Sequence, residues 1–249
     1  MDRHRDTVEL LLSARRDPAA RLNIIPELIR PHTEEQAYLV QRGIMGQLGE
    51  IGGWKVGSPS PTADTFTCAP LPARGILESP AEVACADRGV EAEIAVRLGA
   101  DLPRRDQAYT ETEIRAAIAS AHPAIEVLDS RFTDADAIDP LSNLADSLSH
   151  YGLVLGPAIP DWQSVDFARE EVRLLLDGTE VKRRVANPAG SMMRLLLWLA
   201  NQGAHWAGGL RAGHVVTTGS WTGKDFAGPG AEARIRFTHC GEAVVRFVS

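Results

Sequence analysis

The chain is poor in cysteine, in clustered positive charge and in long apolar runs, and each shortage removes a class of protein. Its three cysteines, Cys68, Cys85 and Cys240, are odd in number and far apart, with no C-x-x-C pair and no histidine at zinc-ligand spacing. They read as reduced thiols of an intracellular protein rather than a disulfide frame or a zinc site. A net charge of -7 and a pI near 5.5 argue against a broad nucleic-acid surface, which would need lysine and arginine massed on one face to displace phosphate counterions. An anionic ligand must instead find local positive charge, from a metal or from particular basic side chains. The longest apolar run, Leu195-Leu-Leu-Trp-Leu-Ala200, falls far short of the roughly 20 residues of a membrane-spanning helix. Met1-Asp-Arg-His-Arg-Asp6 carries charge of both signs, and Val8-Glu-Leu-Leu-Leu12 after it is too short for a secretory leader. A cytoplasmic protein with no membrane or nucleic-acid partner is expected.

What is present suits a globular body: 249 residues with 44% hydrophobic content can build one full core. From Thr7 to about Leu48 the pattern is helical, with Val8, Leu11 and Leu12 on one stripe. A second helix is opened by the capping-box pattern Thr33-Glu-Glu-Gln36 and continued by Ala37, Val40, Ile44 and Leu48. Residues 1–50 therefore read as a helical region packed on a catalytic body of 51–249, a partner-binding helical arm being the alternative. After Gly52-Gly53 the texture changes to short strands punctuated by glycine and proline. Two further helices are expected, Glu111 to Ala121 behind Thr110, and about Gly190 to Gln202. Strands are expected at Trp54–Val56, Val90–Leu98, Ala124–Leu128, Gly152–Leu155, Val172–Leu176, Val215–Thr218, Ala233–Phe237 and Ala243–Val248, with mobile loops over Ser58–Pro72 and Thr133–Ser142. Strands that outnumber helices without alternating with them predict an α+β, mainly β fold.

Three carboxylates stand out. Within Val90-Glu-Ala-Glu-Ile-Ala-Val96, Glu91 and Glu93 share one face of a strand while the apolar residues take the other. Alternating charge on a half-exposed strand would look the same. Glu126, inside Ala124-Ile-Glu-Val-Leu128, is flanked by apolar residues on both sides, and a buried unpaired carboxylate costs several kcal/mol or protonates. A divalent cation held by all three removes both problems, and an all-oxygen ligand set favours Mg²⁺ or Mn²⁺ over zinc. Lys55 lies in Gly53-Trp-Lys-Val-Gly57, its amine projecting opposite to Trp54 and Val56; the plain alternative is a solvated strand lysine. Val215-Val-Thr-Thr-Gly-Ser-Trp-Thr-Gly223 ends a strand in a loop whose hydroxyls and backbone N–H groups, around Thr218, Gly219 and Ser220, can receive an anion or simply form a glycine turn. Arg131, in Asp129-Ser-Arg131, either orients the ligands or makes a structural ion pair.

Gly53-Trp-Lys-Val-Gly57, Val90-Glu-Ala-Glu-Ile-Ala95, Ala124-Ile-Glu-Val-Leu-Asp-Ser-Arg131, Tyr151-Gly-Leu-Val-Leu-Gly156, Trp198-Leu-Ala-Asn201 and Ala212-Gly-His-Val-Val-Thr-Thr-Gly-Ser-Trp-Thr-Gly223 together resemble the 2-keto-4-pentenoate hydratase and 4-oxalocrotonate decarboxylase family, within the fumarylacetoacetate hydrolase superfamily. The resemblance spans nearly the whole chain in the expected order. It implies a mixed β-roll, Mg²⁺ or Mn²⁺ on Glu91, Glu93 and Glu126, a catalytic lysine at Lys55 and a substrate carboxylate near Ser220. It also implies a homo-oligomer, a complex with a decarboxylase or hydratase of the same pathway, and hydration of a small 2-hydroxy-2,4-dienoate in the breakdown of aromatic-ring cleavage products. The alternatives it leaves are a 2-keto diacid decarboxylase, an acylpyruvate hydrolase, or a catalytically silent keto-acid and metal-binding subunit. The chain departs from the family pattern at Glu78-Ser79-Pro80, where an acidic pair is usual and Glu78 stands as an imperfect second acid/base group. It departs again at Asp146-Ser147 and at Pro188-Ala-Gly190.

Overall fold

The computed structural model describes residues 3–248. Its helices are α1 (Arg3–Arg16), α2 (Glu34–Leu48), α3 (Glu111–Ala117), α4 (Pro140–Ala145) and α5 (Met192–Trp198). Its strands are β1 (Ile51–Gly57), β2 (Thr67–Pro72), β3 (Ile76–Glu78), β4 (Ala81–Val83), β5 (Gly89–Leu98), β6 (Leu102–Pro103), β7 (Ile118–Leu128), β8 (His150–Leu155), β9 (Glu171–Leu176), β10 (Thr179–Val185), β11 (Gly209–Leu210), β12 (Val215–Thr217), β13 (Asp225–Phe226), β14 (Glu232–Phe237) and β15 (Gly241–Phe247). An eight-stranded sheet runs in the order β2-β1-β12-β5-β7-β8-β3, with β13 also on β5, and a five-stranded sheet in the order β10-β9-β14-β15-β4. Both are mixed, since β1/β12, β3/β8 and β15/β4 are parallel among otherwise antiparallel neighbours. The α+β, mainly β expectation holds.

Period-two alternation makes the larger sheet two-faced. On one face Trp54, Val56, Val90, Ala92, Ile94, Val96, Ile125 and Val127 join Val172, Leu174, Ile235 and Val245 of the smaller sheet in the main core. The other face carries Glu91, Glu93 and Glu126. Helices α1, α2 and α4 enclose a separate core of Val8, Leu11, Leu12, Val40, Ile44, Phe132 and Leu144. The N-terminal stripe is thus buried against this chain's own body. At α2 the expected cap is half formed: Thr33 accepts from the Gln36 N–H, while the Gln36 side chain accepts from the His32 N–H.

Several boundaries differ from the sequence expectation for identifiable reasons. The helix expected to reach Ala121 stops at Ala117, and Ile118 already begins β7. Pro123 sits inside that strand although β7 is flanked on both sides. It is accommodated because its carbonyl accepts from the Gly156 N–H (2.8 Å), while the Gly156 carbonyl takes the His122 Nδ1–H (2.9 Å) in place of the N–H that proline lacks. The expected loop Ser58–Pro72 is a buried strand from Thr67 onward. Pro70 and Pro72 lie there on an edge strand, where the missing donors are tolerated. Within the expected loop Thr133–Ser142, Pro140 opens α4 behind the Asp139 cap. The late helix begins at Met192 rather than Gly190 and continues as a π-helical turn over Leu199–Gly203. Strand β10 was not anticipated. It returns beside β9 through Asp177-Gly178, whose positive φ angles of 46° and 79° make the tight hairpin turn.

Candidate metal and keto-acid site

In the β5–β7 register Glu91 lies directly opposite Glu126, and Glu93 opposite Ala124. Like charges directly opposite one another destabilise a sheet unless something intervenes. Oxygens of Glu91, Glu93 and Glu126 lie within 4.8 Å of one another, a single candidate metal cluster among the described residues. Glu126 is fully buried and Glu93 is 2% exposed. Lys55 on β1 reaches across β12 and β5, its Nζ donating to Glu126 Oε1 at 2.6 Å and to the Leu148 carbonyl at 3.4 Å. Three carboxylates and one ammonium leave the cluster short of positive charge.

The titration behaviour follows from that imbalance. Burial, then the neighbouring Glu126 and Glu91 charges, push the Glu93 carboxyl well above the usual carboxylate range, against a hydrogen bond from Thr217. Burial and Glu126 likewise raise Glu91, opposed by Lys55 and a hydrogen bond from Ser220. Burial would raise Glu126 as well, but the Lys55 charge and the His150 hydrogen bond outweigh it and hold that carboxyl at about 2. For Lys55, burial pulls the ammonium down, while Glu126 and Glu91 more than offset it, so its pKa lies above the ordinary lysine value. With no dication beside it, the carboxylates keep Lys55 protonated.

Two groups were missed in the sequence. His150 Nδ1 lies 2.8 Å from Glu126 Oε1, and burial holds the imidazole down at about 4, in its neutral form. Thr217 gives its hydroxyl to Glu93 Oε2. Thr217 could have been found from the strand register, whereas His150 carries no local pattern and comes to the site only through the fold.

The remaining candidates divide. Ser220 joins the cluster through Glu91, and its Oγ also accepts from the Gly223 N–H at 2.9 Å. Gly219 adopts φ +85°, and Asn187 Nδ2 braces the turn from the carbonyls of Thr218 (2.8 Å) and Gly219 (3.3 Å). The backbone N–H and hydroxyl of Thr218 both donate to the Ile94 carbonyl, so this residue fixes the turn. Arg131 is buried, and its guanidinium binds the Asp146 carboxylate, the Asp146 carbonyl and the carbonyls of Asp129 and His150. It clamps the segment that leads into β8, and no hydrogen bond links it to the three glutamates among the described residues. Glu78, with its side chain 73% exposed, pairs with Arg97 at 3.3 Å, and no hydrogen bond or ion pair links it to the cluster among the described residues.

The residues fit a cation. Glu126 Oε2 is buried with no hydrogen-bond partner among the described residues, the neighbouring carboxylates repel one another, and an all-oxygen set matches a hard divalent ion rather than zinc. Mixed sheets that place one half-buried and two buried glutamates beside a lysine and a glycine-serine turn define an acid-rich class of β-fold that could hold a metal. The fumarylacetoacetate hydrolase C-terminal family model matches residues 65–248, and the chain belongs to that family. A 2-keto-4-pentenoate hydratase of Burkholderia vietnamiensis (strain G4 / LMG 22486) is 36% identical over 132 residues, 53% of this chain and 49% of that protein. The chain spans about half the length of the curated relatives it matches. The 4-oxalocrotonate decarboxylase from Pseudomonas putida G7 complexed with magnesium and adipate shares the fold with a TM-score of 0.84 at 23% identity, over 97% of both chains. The same enzyme complexed with calcium and acetate gives 0.78 at 25% identity, over 96% of this chain and 97% of that one.

Proposed function

We propose that this protein is a divalent-metal-dependent lyase that hydrates a small 2-hydroxy-2,4-dienoate to a 4-hydroxy-2-keto acid. The observation that carries this reading is the meeting of Glu91, Glu93 and Glu126 within 4.8 Å, with Lys55 in contact with Glu126. Glu91, Glu93 and Glu126 would hold Mg²⁺ or Mn²⁺, which when bound would stabilise negative charge developing on the 2-oxo oxygen as a proton moves. Lys55 is the proton carrier: with the cation's charge beside it the side chain could stand as the neutral amine, whose Nζ would take the dienol proton and return it to carbon, giving the conjugated keto-enoate. Water then adds across the double bond, hydroxyl to C4 and hydrogen to C3. Gly219 and Ser220 seat the substrate carboxylate. The resemblance to 2-keto-4-pentenoate hydratases supports this choice of substrate.

A second reading, decarboxylation of a 2-keto diacid on the same residues, is favoured by Glu78. That residue is exposed and paired with Arg97, so it is not in place to direct a water. Purified protein with Mg²⁺ should be given 2-hydroxypenta-2,4-dienoate and 2-hydroxymuconate in parallel. Formation of a 4-hydroxy-2-keto acid from the first supports the hydratase, and stoichiometric CO₂ from the second supports the decarboxylase. Turnover of neither, with oxalate and metal still bound, would leave a silent keto-acid-binding subunit.

A further inference from the structure

Glu126 divides its two oxygens unequally. Oε1 receives both the Lys55 ammonium at 2.6 Å and the His150 ring at 2.8 Å, while Oε2 is buried with no partner among the described residues. A carboxylate gripped twice on one oxygen cannot rotate freely, so the other oxygen is held available. A carboxylate oxygen accepts, so the 2.8 Å contact makes His150 Nδ1 the donor. The ring's Nε2 is buried with no partner among the described residues, leaving the Nδ1 bond as the polar contact that the ring makes.

The backbone around His150 is arranged to deliver this one bond. Ser147, Leu148 and Ser149 occupy the left-handed region in succession, with φ of 54°, 56° and 62°, a conformation that side-chain-bearing residues rarely hold in series. The segment is fixed at both ends. Arg131 donates to the carbonyls of Asp146 and His150, and Arg15, from α1, donates to the carbonyls of His150 (3.0 Å) and Tyr151 (3.3 Å). The same excursion aims the Leu148 carbonyl at Lys55 Nζ. One short segment therefore contacts both members of the Lys55–Glu126 pair.

We propose that His150 is a positioning residue for the cation site: its Nδ1–H fixes Glu126 Oε1, so that Oε2 is presented to a divalent ion and Lys55 can leave Glu126 without stranding that oxygen. The inference rests on the metal reading given above and adds to it a residue that touches neither substrate nor ion. Such partners typically cost 10- to 100-fold in metal affinity when lost.

Mn²⁺ titrated calorimetrically into wild type, His150→Phe and His150→Asn tests it. Asparagine places an N–H donor where Nδ1 stood, and phenylalanine keeps the ring without one. The expected result is Mn²⁺ binding weakened about 10- to 100-fold in His150→Phe and largely restored in His150→Asn. Unchanged affinity in His150→Phe, or no rescue by asparagine, overturns the proposal. Should His150→Phe fail to fold, long-range ¹H–¹⁵N spectra of the wild-type imidazole decide instead: a neutral Nδ1–H tautomer with and without Mg²⁺ is expected, and an Nε2–H tautomer overturns it. Wild type that takes up no Mn²⁺ brings down the metal reading and this inference together; wild type that binds while the variants behave alike brings down the inference alone.

Discussion

Lys55 is one of three lysines among 26 basic residues, the rest being arginine, and the sheet buries it while Lys182 and Lys224 stay half exposed. An arginine could neutralise Glu126 equally well but could not exchange a proton near neutral pH, whereas an ammonium shifts its pKa readily with its surroundings. The choice of lysine at the buried position therefore points to proton transfer rather than charge balance alone. Lys55→Met should leave Mn²⁺ binding in place while lowering turnover by roughly 10² to 10⁴, the usual contribution of a general acid or base. Wild-type rates in that variant, on whichever substrate proves active, would remove Lys55 from the chemistry.

At the level of elements, the segment between β7 and β8 is held in a strained conformation. Left-handed residues cost of order 1–3 kcal/mol each, and three occur together at Ser147, Leu148 and Ser149. The buried Arg131–Asp146 pair is the compensating anchor. Arg131→Met should strand Asp146 in the interior and destabilise the fold by about 3–5 kcal/mol, the usual cost of breaking a buried pair from one side; a denaturant midpoint matching wild type would contradict that. Helix α3 offers a pH test. The Thr110 backbone and Arg105 hydrogen bonds hold the Glu113 carboxyl down at about 2, below its unfolded value. Its contribution is therefore present above about pH 4.5 and is lost as pH falls toward about 2. The difference in melting temperature between wild type and Glu113→Gln should shrink over that window, and a constant difference would show that Glu113 does not act through its charge. The same elements explain what was legible. Glu91, Glu93, Glu126 and Lys55 were readable because a period-two strand fixes each side chain's face and an apolar context marks a misplaced charge. His150 was not, because three left-handed residues in a glycine-free segment give no local signal. The early start of β7 was hidden by Ala119-Ser120-Ala121, small residues that fit helix or strand, and by Pro123, whose missing donor only His122, in a tertiary contact with Gly156, makes tolerable.

For the whole molecule, an ion held by the acid cluster would make folding and ion binding one equilibrium. The sheet register forces Glu91 against Glu126, so the folded chain bears a repulsion that the unfolded chain, with its carboxylates apart in water, does not. An ion that binds only the folded form stabilises it by RT ln(1 + [L]/Kd), about 2.7 kcal/mol at a hundredfold excess over Kd. For a chain of 249 residues, taken at the scaling for domains of similar size, about 2–4 °C per kcal/mol gives a rise in melting temperature of about 5–10 °C. Protein stripped with chelator and then given saturating Mg²⁺ or Mn²⁺ should show that rise. Glu126→Gln leaves the buried Lys55 ammonium without its carboxylate partner, so its ion-free form should melt below ion-free wild type, and it should respond little to added ion. This pairing separates a cation site from a structural acid cluster. A fortuitous cluster would give equal melting temperatures with chelator and with Mg²⁺, and that result would leave the three glutamates without a cation to explain their meeting.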